Sequence, residues 1–456
     1  MSLLDRPLRE QAAMIASGAA DPAQLLDATL ARIEERNPAV NAVVDTFPER
    51  SRQMLEAAPD GPLHGVPVVI KDEWPLPWRA QQFGAPRSIV PLQPGEGGPY
   101  LALRDAGAVI AGVANMHELG SSSTGNASVY GPARNPWDTE RCPGGSSSGP
   151  GAAVAARLVA GAVGADGIGS IRYPAAYCGI TGLKPTFGRS AMAGHHMAAL
   201  TTTIVSGPMC ADAADCRLLG SVLFGEELPA GDAAGLRIGV VSGPVSEDCA
   251  PEVREACEEA IDALRAQTGG SLHQLSLDCF EFAGLASVIV GTTEGVGAVP
   301  PAWLNSLDEQ LGLLNRALMK YRMLLPAAVL ARAQRVRALM RRVLADAFNE
   351  VDVIAWPTVP AVAPPLENPD VELPSGVHSA DAVNPRGGGL ANLTGTPAVS
   401  VPVGLSADGL PIGLQLTAAW GHDALLLDAA EALERANSRR WVEALPPLAR
   451  AETAPA

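Results

Sequence analysis

Two patterns in the sequence predict an α/β fold. Apolar runs of strand length recur near residues 66–70, 108–113, 160–165, 237–241, 352–356 and 398–403. Between them lie longer stretches with apolar residues at helical spacing, the clearest at 251–266 and in the charged run 327–349. Strands interleaved with helices in this way build a sheet covered by helices. Size agrees: 456 residues, 47% hydrophobic and 18% charged, can bury a large core, and 47 glycines and 39 prolines make the chain rich in loops.

Taken in order, Leu8, Ala12 and Ile15, then Leu25, Leu26, Leu30 and Ile33 fall at helical spacing on either side of Ser17-Gly18, predicting two helices. A short strand over 41–47 and a helix over 50–57 follow, so residues 1–60 read as mainly helices packing on a core. Turn residues at 61–65 lead into Val68-Val69-Ile70, and that run ends on Lys71. A lysine there is either held by burial in its neutral form or snorkels to solvent, and the local sequence leaves both open. Residues 100–106 read as helix. His117 is the candidate for a Ser-His-Asp triad, but a histidine beside Glu118 in a polar loop more often hydrogen-bonds locally. His195-His196 has no carboxylate or histidine at ligand spacing, so no metal is expected.

The stretch 143–189 is the least ordinary. It holds two clusters, Gly144-Gly145-Ser146-Ser147-Ser148-Gly149 and Asp166-Gly167-Ile168-Gly169-Ser170, joined by an alanine-rich run that reads as helix then strand. Glycine at this density marks unusual dihedrals or close approach of backbone to a ligand. Successive amides beside a serine are the raw material of an oxyanion hole. Residues 145–149 also match G-x-S-x-G around Ser147, but a nucleophile elbow follows a strand and 135–143 is a loop. Gly164, Gly167 and Gly169 lack dinucleotide spacing, so no cofactor is expected.

Charge and cysteine usage narrow the class further. Thirty-three Lys and Arg against 49 Asp and Glu leave a net charge of −16, which argues against nucleic acid or an anionic membrane as partner. Seven scattered cysteines without paired spacing suit a reducing, cytoplasmic setting, with Cys178 and Cys257 as apolar fillers. The charged N-terminus is unlike a signal peptide, and no uncharged apolar run reaches membrane-spanning length.

Several blocks, in order, resemble the amidase signature family. They are 65–72 around Lys71, 115–119, 131–138, the 144–149 cluster, 170–179, 182–189, 392–397 and 408–415, with weak similarity only over about 211–351. The resemblance implies one large domain over 1–456, a mixed twisted sheet between layers of helices, with a catalytic core at 61–210. It implies Ser170 as nucleophile, Ser146 as bridging serine after a cis Gly145–Ser146 bond, and Lys71 as base, at separations of 75 and 24 residues. A lysine acts as base only when neutral, so activity is expected to rise with pH. The amides of Gly167, Ile168, Gly169 and Ser170 would form the oxyanion hole, supported by Gly145, Ser147, Asp166 and Arg172. Two departures stand out: Ala165 where the family has a hydroxyl, and Ile168 where it has glycine, which would be strained at positive φ.

The implied activity is that of a serine amidohydrolase without metal or cofactor, cleaving C–N bonds through an acyl- or carbamoyl-enzyme. Val129, Tyr130, Ile168, Tyr173 and 192–197 are the candidate pocket, mostly apolar, which favours neutral amides, anilides and aryl carbamates. The Ala165 and Ile168 loop also resembles urethanases of the family. Residues 280–324, the least family-like, read as a variable region covering the site or a packed outer helix pair. The alternatives are an amidotransferase subunit releasing ammonia from glutamine and a non-catalytic binding protein. The expected partner is a small amide or carbamate, with no nucleic acid and no membrane, for a monomer or homodimer.

Overall fold

The computed structural model describes residues 2–86, 93–194, 202–277, 280–298, 320–441 and 446–450. Among the described residues thirteen strands run in chain order as β1 (Val43–Thr46), β2 (Pro67–Lys71), β3 (Val109–Ala114), β4 (Gly161–Asp166), β5 (Thr181–Lys184), β6 (Val205–Cys210), β7 (Arg237–Val241), β8 (Ser271–Leu275), β9 (Val353–Pro357), β10 (Asp370–Leu373), β11 (Gly376–Ser379), β12 (Ala398–Leu405) and β13 (Pro411–Ala418). Eleven of them form one sheet in the order β1-β3-β2-β4-β6-β5-β12-β13-β9-β7-β8, and β10 with β11 makes a separate hairpin. The sheet is mixed: β3, β2 and β4 are parallel, as are β8, β7 and β9, while β6, β5, β12 and β13 pair antiparallel between them.

Every residue of β2, β3, β4 and β9 is buried, which is why those segments read as largely unbroken apolar runs rather than alternating ones. Strands β5, β6 and β13 were not legible as strands. Their sequences, Thr-Gly-Leu-Lys, Val-Ser-Gly-Pro-Met-Cys and Pro-Ile-Gly-Leu-Gln-Leu-Thr-Ala, carry Gly and Pro that weaken strand propensity. Ladders on both sides hold them extended: β6 between β4 and β5, and β13 between β12 and β9.

Helices cover both faces. The Pro22–Val40 helix starts at Asp21, whose carboxylate accepts from the Ala23 amide at 2.8 Å, and stops where Asn41 turns left-handed at φ 47°. The Leu8–Ala16 helix docks on the 213–224 helix through Asp215, which accepts from the amides of Leu8 and Arg9 at 2.6 and 3.0 Å. Pro251–Thr268, the amphipathic stretch expected from sequence, buries Val253, Cys257, Ala260, Ile261 and Leu264. Part of the 280–324 region is the Ala283–Ala298 helix, which packs on the Pro385–Thr394 and Ala327–Glu350 helices. Residues 299–319 of that region, and 195–197 of the expected pocket, lie outside the described residues.

Two features of this arrangement place the site. Strands β2 and β4 are parallel neighbours, with Val69 opposite Ala162 and Ile70 opposite Val163, so Lys71 and Ala165 emerge at the same edge. The turn at 144–148 lies across that edge: the Ser146 carbonyl accepts from the His117 amide at 3.0 Å, and the Ser147 amide donates to the Ser170 carbonyl at 3.2 Å.

Candidate active site

Lys71 ends β2 with its side chain turned inward, only 1% exposed, which decides between the two readings of the sequence. Its Nζ lies 2.8 Å from Ser146 Oγ and 3.5 Å from the Ala165 carbonyl. The Gly145–Ser146 peptide is cis, as the resemblance implied. Gly144 before it has φ 83°, and a Cβ there would meet Pro174 Cα at 2.6 Å, so only glycine fits. Gly145 is fastened by its amide to the Ser123 carbonyl at 2.7 Å. Ser147 points away from the cavity and clamps β4, accepting from the Ala165 amide at 3.3 Å and donating to the Ala165 carbonyl at 3.1 Å.

Ser170 follows β4 on a tight loop whose shape Asp166 sets. The Asp166 carboxylate accepts from the amides of Gly169 (2.7 Å) and Ile171 (3.1 Å), from Arg172 and from Asn392 Nδ2 (2.9 Å). Burial pulls its pKa upward, but Arg172, Lys184 and Asn392 outweigh burial and hold it below the usual carboxylate value. Arg172 extends the network to Gln415 Oε1 (2.7 Å), the Gly388 carbonyl (2.9 Å) and Asn392 Oδ1 (2.6 Å).

This loop corrects one expectation. The Gly169 amide is spent on Asp166, so it is not free to receive an oxyanion. The amides of Gly167, Ile168 and Ser170 have no acceptor among the described residues. Nor is Ile168 strained: the positive φ in the loop belongs to Gly169, at 128°, and Ile168 is not among the left-handed residues. Tyr173 buttresses the loop from below, its hydroxyl donating to the Ile168 carbonyl and lying 3.1 Å from the Asn384 carbonyl.

Lys71, Ser146 and Ser170 open together into a cavity of about 330 Å³. Gly167, Ile168 and Tyr173 line it too, but Val129 and Tyr130 do not. Val129 is 45% exposed, and the Tyr130 hydroxyl accepts from Arg79 at 3.0 Å, in the cluster where Arg79 pairs with the buried Asp72 at 2.6 Å. Both precede the 144–149 cluster in sequence, but the chain turns them onto another surface. Residues the sequence reading missed complete the wall: Glu73, Phe83, Ile204, Val288, Arg322 and Asp381. They come from distant segments without a motif, except Glu73, two residues beyond Lys71. Its carboxylate Oε2 lies 2.6 Å from Lys71 Nζ. Burial pushes Arg322 down to about 10.

His117 is buried behind the site, and burial lowers its pKa to about 4, Lys71 adding to the fall and Asp381 opposing it, so it is neutral at pH 7. Cys178 and Cys257 are buried, and burial raises both thiols.

A profile of the amidase family, described as Amidase, matches residues 24–427. The chain belongs to the amidase signature family. Members of this family are C–N hydrolases, and the chain is a serine-type enzyme of that class acting on amides. The A-type component of the glutamyl-tRNA(Gln) amidotransferase of Geobacter metallireducens is 33% identical over 457 aligned positions, covering 90% of this chain and 93% of its own length. Among solved structures, one described as an amidase superposes with a TM-score of 0.88 at 29% identity, covering 94% of this chain and 99% of its own. A 6-aminohexanoate cyclic dimer hydrolase complexed with substrate gives 0.87 at 26%, covering 98% and 100%.

The similarity to an amidotransferase component overturns the expected partners. A monomer or homodimer acting alone on a small amide or carbamate, with nucleic acid excluded by an acidic net charge, does not fit a family member so similar to one component of a tRNA-dependent enzyme. Net charge averages over the whole surface and says nothing of a local docking face or of a partner that supplies the basic residues. Among the described residues no helix is long and apolar enough to cross a membrane.

Proposed function

We propose that this chain is the amide-cleaving component of an amidotransferase-type assembly, releasing ammonia from glutamine or an amide built like it. Its full-length similarity to the A-type components of such amidotransferases is the observation that carries this reading. The cavity supports it by offering both Arg322 and Asp381, opposite charges suited to the carboxylate and ammonium of an amino acid.

In this reading Ser170 Oγ attacks the amide carbon while its proton passes to Ser146 Oγ, and the Ser146 proton passes to the neutral amine of Lys71. The oxyanion that forms is received by the amides of Gly167, Ile168 and Ser170, each well-aimed donor contributing about 3 kcal/mol. Collapse of the tetrahedral species returns the proton through Ser146 to the leaving nitrogen, and ammonia departs. Water then attacks the acyl-enzyme by the same relay run again.

A second reading, hydrolysis of neutral amides, anilides or aryl carbamates through an acyl- or carbamoyl-enzyme, is favoured by the apolar share of the wall. Phe83, Leu119, Ile168, Ile204 and Val288 offer aryl and alkyl groups a dry surface. One comparison separates the two: initial rates on glutamine, an anilide, an aryl carbamate and an alkyl amide, for the wild type and Ser170→Ala. Ser170-dependent ammonia release from glutamine, faster than any other cleavage, supports the first. Glutamine untouched while the anilide or carbamate turns over rejects it in favour of the second.

A further inference from the structure

We infer that Glu73 acts through Lys71 as a buried counter-charge that sets the pH at which the lysine becomes a base. The inference rests on the Ser170–Ser146–Lys71 relay proposed above. Glu73 is 5% exposed and lines the same cavity as the three relay residues. Its Oε2 stands 2.6 Å from Lys71 Nζ, closer than Ser146 Oγ at 2.8 Å. In a buried site a full charge at that distance acts with little solvent screening, so it favours the ammonium over the amine. Burial of Lys71 acts the other way, because desolvation penalises the ammonium. The geometry therefore places two opposed influences on one amine, of which the motif around Lys71 reveals only burial.

The other charged groups around this pair are already committed or differently placed. Asp72, the next residue after Lys71, turns to Arg79 and to the amides of Gln82 and Gly84. Asp166 at the end of β4 is held by Arg172. Asp381, which also lines the cavity, accepts from Ser122 Oγ and from the Ser123 amide and hydroxyl, and Arg322 is another lining residue. His117 is neutral at pH 7. Among the described residues, Glu73 is the carboxylate in direct contact with Lys71 Nζ.

Glu73 is the charge that stands against Lys71 Nζ. Replacing it by an uncharged isostere should release the lysine to act as base at lower pH while making it a weaker base. The test needs no known substrate: the rate of covalent labelling by a fluorophosphonate is measured against pH for wild type, Glu73→Gln and Glu73→Asp, with Ser170→Ala and Lys71→Ala as controls. The expected result is an acid limb displaced by about 1 unit or more to lower pH in Glu73→Gln, with a plateau lowered about tenfold. Glu73→Asp, which keeps the charge, should hold the limb near its wild-type position and lower only the plateau, and it serves alone if the glutamine variant does not fold. A lowered plateau with an unmoved limb in Glu73→Gln, a limb moved to higher pH, or a limb displaced in Glu73→Asp as far as charge removal would take it, overturns the inference. Labelling that ignores Ser170→Ala or Lys71→Ala is a different failure, that of the relay itself.

Discussion

Arg172 grips Asp166 at two points, Nε to Oδ2 at 3.0 Å and the second terminal nitrogen to Oδ1 at 3.1 Å, with both side chains wholly removed from solvent. Because the same carboxylate also fastens the amides of Gly169 and Ile171, this pair decides where Ser170 stands relative to Lys71 and Ser146. Arg172 in turn reaches the 385–394 helix and β13, so the Ser170 loop is tied to elements more than 200 residues away in sequence.

Asp166→Asn should therefore cost both stability and labelling. Removing one charge of a buried pair leaves the other uncompensated, a loss of about 3–5 kcal/mol. Urea unfolding at pH 7 measures it, and a loss under about 1 kcal/mol would mean that Arg172 is satisfied by Gln415, Gly388 and Asn392 without Asp166.

Gly169→Ala should abolish fluorophosphonate labelling while leaving most of the fold intact. Residue 169 has φ 128°, and a Cβ there would lie 2.1 Å from the Tyr173 ring. Either the tyrosine or the loop must move, and Tyr173 holds the Ile168 carbonyl. Near-wild-type labelling with an unchanged circular dichroism spectrum would show that the loop relaxes freely.

Lys184 gives a pH dependence that belongs to folding rather than catalysis. It is buried at the end of β5, and burial, helped by Arg172 and opposed by Asp166 and Asp423, lowers its pKa to about 7 from 10.5. The unfolded chain then binds a proton at Lys184 between pH 7 and 10.5 that the folded chain does not, so this residue's contribution to stability increases with pH across that window. Below pH 7 the penalty is constant. Unfolding free energies at pH 7, 8.5 and 10 for wild type and Lys184→Met should differ by a gap that narrows as pH rises. A gap constant across the window would show that Lys184 carries the same charge in both states.

His117 and Lys71 should separate sharply. Lys71→Ala removes the group that contacts Ser146 Oγ and is expected to lower labelling by at least about a hundredfold. His117→Ala removes a side chain outside the cavity wall and should cost less than about tenfold. Equal losses would make the histidine part of the proton path.

The sequence by itself determined the α/β class and six strands of the main sheet from their apolar runs, and its resemblance to the amidase signature family pointed to Lys71, Ser146 and Ser170, which meet at one cavity. The strands and the glycine-rich turn were legible because their causes are local: a buried strand needs a continuous apolar run, and a turn at Gly144-Gly145 needs residues without Cβ atoms. Strands β5, β6 and β13 were decided by their neighbours' ladders, against their own Gly and Pro content. The cavity wall was decided by tertiary structure almost alone. Tyr130 was drawn to Arg79, and Phe83, Ile204, Val288, Arg322 and Asp381 were brought in from segments with no common pattern. Glu73 lay in plain view two residues past the lysine, yet whether its carboxylate met Nζ or turned to solvent depended on the direction of the chain after β2. The Asp72–Arg79 pair and the 82–84 turn decide that direction, through contacts made only when the whole edge of the sheet is assembled. Side-chain period within an element is a property of the backbone and can be read from a string of letters, whereas which elements face one another across a cavity depends on long-range packing.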